Sequence, residues 1–274
     1  MRKYISRLIL PCFTAIHCTA QTIHPPAKAD YVQFGAYSKK FVNAFSFVSN
    51  QASLASAQNI SAGVFSEQKF ALKELSLSTL AITIPTSAGA FGFEANYFGY
   101  SDYNESQLGI AYAKKLGNAV DIGIQFNYYQ IRMNGYGSYN TINFEVAALF
   151  HPSEKMHLGF HIYNPAAGKI GKNINEKLAS VYEAGIGYEA SDQVCLQGII
   201  SKEENQPLNV NACFEYIFNK QFFARLGVNT QSTSPNAGVG LAWKNIRLDV
   251  TVSYHPQLGF SPGMMMLYDL KHKE

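Results

Sequence analysis

From residue 60 onward, apolar and polar side chains alternate along the chain with a period of two. Across residues 120–128, Val120, Ile122, Ile124, Phe126 and Tyr128 make one face, and Asp121, Gly123, Gln125 and Asn127 make the other. The pattern repeats. Ile142, Phe144, Val146, Ala148 and Phe150 alternate with Thr141, Asn143, Glu145 and Ala147. Val210, Ala212, Phe214, Tyr216 and Phe218 alternate with Asn209, Asn211, Cys213 and Glu215. Similar runs cover residues 222–229 and 246–254. Successive side chains of a strand point to opposite faces, so each run predicts a strand with one apolar and one polar side.

Turn-forming clusters separate the runs, among them Asn134-Gly135, Pro152-Ser153, Ser191-Asp192 and Asn219-Lys220. They divide the chain into about fourteen strands, beginning near residues 60, 73, 89, 105, 119, 139, 155, 179, 193, 207, 221, 236, 245 and 261. Strands of soluble proteins usually run about five or six residues; a tilted transmembrane strand needs about nine to eleven. Most of these runs match the second length.

Alternation alone does not say which face is inside. A soluble sandwich buries the apolar face, whereas a membrane barrel turns it to lipid and keeps Asn, Gln, Asp and Gly in a polar lumen. Strand length, short hairpins, an export signal and abundant aromatics favour the barrel; 19 Phe and 17 Tyr are enough to line both membrane interfaces. Beyond the leader no apolar run is long enough for a membrane helix, which leaves closure into a barrel as the way to cross lipid. The expected fold is therefore an all-β, antiparallel transmembrane barrel.

Arg2, Lys3 and Arg7 precede a short apolar stretch, residues 8–16, and Cys18-Thr19-Ala20 offers the small-residue pattern of a signal-peptidase site. This reads as a secretory signal over residues 1–20. A lipoprotein signal competes, but His17 stands where a small residue belongs. The whole chain has 22 Lys+Arg and 19 Asp+Glu; three of the basic residues lie in the leader, so the remainder carries 19 of each. No basic run remains to engage nucleic acid. Export leaves two cysteines, Cys195 and Cys213. A hairpin centred on Glu204 pairs residues whose numbers sum to 408, as 195 and 213 do, which predicts directly opposed thiols and a cross-strand disulfide. A slip in register would leave them free.

Residues 21–59 do not alternate. Val32, Phe34, Tyr37, Phe41, Phe45 and Phe47 are followed by Ser49-Asn50-Gln51-Ala52-Ser53-Leu54-Ala55. This segment resembles the Asn-Pro-Ala-x-Leu-Ala signature of FadL-like outer-membrane proteins, including the PorV/PorQ branch of Bacteroidetes. Asn50, Ala52, Leu54 and Ala55 match, and Gln51 replaces the proline. Tyr163-Asn164-Pro165-Ala166-Ala167-Gly168-Lys169 is similar to an Asn-Pro loop of that branch. The resemblance implies that residues 21–59 fold back as a hatch inside a barrel formed by residues 60–274. Phe45 and Phe47 would then lie in the lumen, beside Gln51, Ala52 and Leu54, and Asn50 would tie the turn into the first strand. It also implies a protein of the outer membrane in contact with its lipid. Its role would be passive transport of a hydrophobic or amphipathic small molecule, or alternatively that of an outer-membrane component working with secretion-system proteins.

Little in the sequence points to an enzyme or a cofactor. His157 and His161 share a strand face but sit about 13 Å apart at roughly 3.3 Å per residue, too far for one metal ion, so they read as lumenal imidazoles. His151-Pro152-Ser153 resembles the His-x-Ser pair of an outer-membrane lipid hydrolase, but its proline sets it in a turn. Gly89, Gly92, Gly99, Gly185, Gly187, Gly238 and Gly240 form no phosphate loop and mark places where a barrel bends or another element approaches closely.

Overall fold

The structure, a computed structural model, describes residues 22–168, 177–230 and 234–270. The leader and Lys169 lie outside the described residues. Fourteen strands form the wall: β1 (Ile60–Gln68), β2 (Ser76–Thr86), β3 (Gly89–Gly99), β4 (Tyr103–Leu116), β5 (Val120–Met133), β6 (Gly137–Phe150), β7 (Met156–Tyr163), β8 (Val181–Glu189), β9 (Val194–Glu203), β10 (Leu208–Phe218), β11 (Phe222–Asn229), β12 (Ser234–Trp243), β13 (Ile246–His255) and β14 (Gly259–Leu270). Each pairs antiparallel with its neighbours, and β14 pairs with β1, from Gly263 opposite Glu67 to Leu270 opposite Ile60. The sheet closes with no free edge. Every predicted strand is present, and each begins within three residues of its expected start.

The apolar face is outside. On β5, Ile122 and Phe126 are 42% and 58% exposed, while Asp121 and Gln125 are 2% and 0% exposed. β13 does the same, with Leu248 and Val250 outward and Asp249 and Thr251 buried inward. This inversion of a soluble protein is the arrangement of a transmembrane barrel. The end that carries the start of β1 and the finish of β14 is here the terminal end; the other is the loop end.

Residues 22–59 run through the bore. Thr22–Ile23 pairs in parallel with Lys177–Leu178 at the loop end. The chain then descends to Ser38, Lys39 and Lys40, which bond Glu189 at the foot of β8. It climbs back through the single helical turn Ser46–Ser49 and the 3-10 turn Gln51–Ser56, and returns to the terminal end to start β1. This plug occupies space that inward glycines leave open. A side chain on Gly92 would meet Phe47, one on Gly123 would meet the Gln51–Ala52 backbone at 2.5 Å, one on Gly238 would meet Tyr31, and one on Gly185 or Gly187 would meet Tyr37. Gly89 and Gly99 instead hold left-handed backbone at strand ends, and Gly240 abuts Asp249.

The cysteines correct an expectation. In β9–β10 the paired numbers sum to 410: Cys195 lies opposite Glu215, and Cys213 opposite Gln197. The turn is centred on Asn205, which takes left-handed backbone (φ 64°), and Gln206 N–H donates to Glu203 O at 3.1 Å. Moving the centre by one residue shifts the register by two, which keeps both thiols on the inner face but makes them diagonal neighbours. Both are free and buried.

Two outcomes follow. A non-reducing digest should contain no linked peptide joining Cys195 to Cys213, and both thiols should alkylate only after unfolding. Gly187→Val should leave a barrel that still migrates differently with and without boiling, while limited proteolysis cuts the displaced plug near Lys39 and Lys40; wild-type protein should resist that cleavage.

Candidate functional site: the plug and its anchors in the bore

The residues singled out before the first strand are all buried. Phe45, Asn50, Gln51 and Ala52 are fully buried, and Phe47 and Leu54 are 1% exposed. Asn50 caps the 3-10 turn: its Oδ1 accepts the Ala52 N–H at 3.1 Å, and its Nδ2 donates to Phe160 O. This side-chain cap fixes the turn in which Gln51 stands in place of proline.

One side of the bore is apolar. Phe45, Phe47, Val48 and Leu54 of the plug share a cluster with the inward residues Phe65, Leu77, Ala81, Ala90, Ala111, Ala113, Met265 and Leu267. These wall residues come from β14 and β1 to β4. Burying Phe45, Phe47 and Leu54 contributes about 1.5–3 kcal/mol each.

The rest of the wall is polar and holds the plug at several places, three of them built on buried carboxylates. In mid-bore, Glu145 of β6 accepts from Gln51 Nε2 at 2.8 Å, His161 at 2.7 Å and Asn127 Nδ2 at 2.6 Å, with the Lys28 ammonium 3.9 Å away. His161 also faces Glu183 at 2.8 Å, and Gln125 joins this network to Glu94. On the β10–β13 side, Tyr31 O–H donates to Asp249 at 2.9 Å, and Arg247 grips Asp249 through two bonds of 2.7 Å. Arg225 bonds Glu215 at 2.9 Å and lies over the rings of Tyr31 and Phe34. At the terminal end, Glu189 Oε1 accepts from Ser38 Oγ at 2.6 Å, Lys39 N–H at 2.7 Å, Lys40 N–H at 3.0 Å and His157 Nε2 at 3.1 Å.

Small cavities border the plug. One of about 290 Å³ at the terminal end is lined by Lys40, Phe41, Asn59, Arg247 and Leu267, among others. Another, about 90 Å³ near the loop end, is bordered by Asp30, Glu67 and Ser261.

The histidines expected in the lumen are there, on separate networks. His157 belongs to the Glu189 anchor and His161 to the Glu145 anchor. Ser153 makes no pair with His151: its Oγ accepts the Lys155 and Met156 N–H groups and caps the turn after β6. Asn164, at the Asn-Pro loop, is 1% exposed with left-handed backbone (φ 51°). It donates to Leu178 O at 2.7 Å, while its Oδ1 accepts Gly168 N–H and its carbonyl accepts Ser180 Oγ. Leu178 is the residue beside Ile23, so Asn164 braces the loop on which the plug begins; Pro165 follows it into the turn. Sequence reasoning missed Lys28, Tyr31, Ser38, Glu145, Glu189 and Asp249 as plug contacts. Glu145, Glu189 and Asp249 could have been flagged as carboxylates on the lumenal face of their strands.

No protein-family model matches the chain, and no curated protein is similar to it in sequence. Solved structures do match. The monoaromatic hydrocarbon channel CymD superposes with a TM-score of 0.67 at 12% identity, over 85% of this chain and 94% of that one. The Pseudomonas putida toluene transporter TodX gives 0.60 at 8% identity, over 85% and 95%. A Pseudomonas aeruginosa FadL homologue gives 0.55 at 9% identity, over 86% and 94%. The chain has the fold of the FadL-type channels.

Removing one partner from a buried ionic network leaves uncompensated charge, at a cost of about 3–5 kcal/mol. Glu145→Leu removes the carboxylate that Lys28 and His161 share and leaves His161 only Glu183. Urea unfolding of the refolded barrel should report a loss of that size, and the exposed substitution Glu154→Leu should change stability by less than about 0.5 kcal/mol.

Proposed function

We propose that the protein is a passive outer-membrane channel for small hydrophobic or amphipathic molecules. The observation that carries this reading is the apolar seam between the plug's Phe45, Phe47 and Leu54 and the inner faces of β14 and β1 to β4. A polar lumen alone would pass ions and sugars. A continuous apolar wall, covered by a non-covalently held segment, offers a path to a molecule that water and polar residues reject. The fold shared with hydrocarbon channels supports the same reading. In this orientation the terminal end faces the periplasm, the loop end faces outward, and the exposed apolar belt contacts outer-membrane lipid. No step of this role calls on an enzyme or a cofactor.

A second reading, a barrel that serves a secretion apparatus as the PorV/PorQ-like resemblance implies, draws on a different observation. The plug is anchored at several separate places, which suits a barrel that is docked upon rather than traversed. The two roles part in one experiment. Wild-type protein and a deletion of residues 22–58 are placed in liposomes and planar bilayers. The channel reading expects toluene uptake by wild-type liposomes above protein-free ones, and higher ionic conductance in the deletion. Uptake equal to protein-free liposomes, with secretion proteins co-purifying from outer membranes, would overturn it in favour of the docking role.

A further inference from the structure

The terminal-end anchor contains two histidines whose protons can be counted. His151, in the turn after β6, and His157, on β7, face each other with their Nδ1 atoms 2.9 Å apart. Each turns its other nitrogen to a carboxylate: His151 Nε2 lies 3.0 Å from Asp121, and His157 Nε2 lies 3.1 Å from Glu189. Both rings and both carboxylates are at most 2% exposed at their side chains. Glu189 also accepts from Ser38, Lys39 and Lys40, so it is an ionised acceptor.

Glu189 as an acceptor requires a hydrogen on His157 Nε2, and an ionised Asp121 requires one on His151 Nε2. A neutral imidazole has only one. Two neutral rings would then aim two bare lone pairs at each other across 2.9 Å, a repulsive contact. One further proton converts it into an N–H···N hydrogen bond of ordinary length. We propose that His151 and His157 share one extra proton, and that this bridge is a pH-sensitive latch on the Ser38–Lys40 turn of the plug. The pair holds a single positive charge between Asp121 and Glu189. A metal ion is the poorer occupant, because two imidazoles leave most of its coordination unfilled and both rings are buried.

A second extra proton would put two N–H groups face to face, and the rings would have to part. The charged groups around the pair set when this happens. Asp121 comes from β5 and Glu189 from β8, and Cys195 stands opposite Glu189 on β9. Lys39 approaches His151 from the plug, and Lys40 of the plug is paired with Asp192 and feels Glu154. Burial holds His151 below its ordinary value, helped by Lys39 and His157 and opposed by Asp121. That direction applies to the second proton: the bridge persists above about pH 6.5 for as long as the shared proton is held, and is lost as the pH falls through that range. When the rings separate, Glu189 loses one of its four donors, and the plug loses its brace at the periplasmic mouth.

The test uses the full chain in micelles and planar bilayers, with ¹⁵N-labelled histidine. At about pH 7.5 the latch requires both Nε2 atoms protonated and one proton coupled to both Nδ1 atoms, and at about pH 5 two separate imidazolium rings. Single-channel open probability should rise severalfold over the same change. The double variant His151→Gln/His157→Gln should remain a heat-modifiable barrel and lose that pH response. Two neutral rings at about pH 7.5, an unchanged pH response in the double variant, currents indifferent to pH, or stoichiometric zinc bound by the pair would each overturn the latch. The nuclear magnetic resonance arm reads the proton without any transport, so failure of the latch is distinguishable from failure of the channel reading.

Discussion

Hydrocarbon supplies no hydrogen bonds, so a sheet that crosses it has to close on itself. That constraint shapes everything else in this molecule. Closure between β14 and β1 satisfies the wall's backbone, yet fourteen strands enclose more space than their own side chains can fill, unlike a barrel of about eight. The space is filled by the chain's N-terminal segment. The inward glycines of β3, β5, β8 and β12 are the negative image of that segment, and they let Phe47, Ala52, Tyr37 and Tyr31 approach the wall's backbone.

The plug is held by two kinds of interaction, segregated around the bore. Apolar contact dominates on the β14-to-β4 side. Charged and hydrogen-bonded anchors dominate elsewhere, at Glu145, Asp249 and Glu189. The division has a physical consequence. Polar anchors are directional and respond to proton or partner loss, because a buried group without its partner is costly. Apolar contact is non-directional and tolerates sliding. A segment pinned on one side and merely packed on the other can move away from its apolar wall when a pin is released. In the channel we propose, this links the chemistry of the anchors to access along the seam.

Much of the fold was legible in the sequence, because the strand period is two and survives any tertiary context in which one face meets lipid. Ile122 and Asp121 had to lie on opposite sides of the wall, whichever side was inside. The faces of His157, His161, Cys195 and Cys213 were readable for the same reason. The disulfide was not, because opposition depends on the centre of one turn. Asn205 tolerates the left-handed conformation that places the centre there, a preference of Asn over Glu204 that a count of paired numbers does not weigh. Asn50 and Asn164 stood out as turn formers, but their acceptors and donors lie up to 110 residues away in Phe160 or across a loop in Leu178.

Sequence by itself determined the alternation, the number of strands, the separation of a polar from an apolar face and the presence of a non-alternating segment before the first strand. These are local properties, set by side-chain chemistry and a period of two. Only the tertiary structure decided how that segment runs, down the bore to Glu189, back up to Glu145 and down again to β1. It also decided which carboxylates meet which plug residues. Those contacts join positions as far apart as Tyr31 and Asp249, and distance in the chain carries no signal of nearness in space until the barrel has closed.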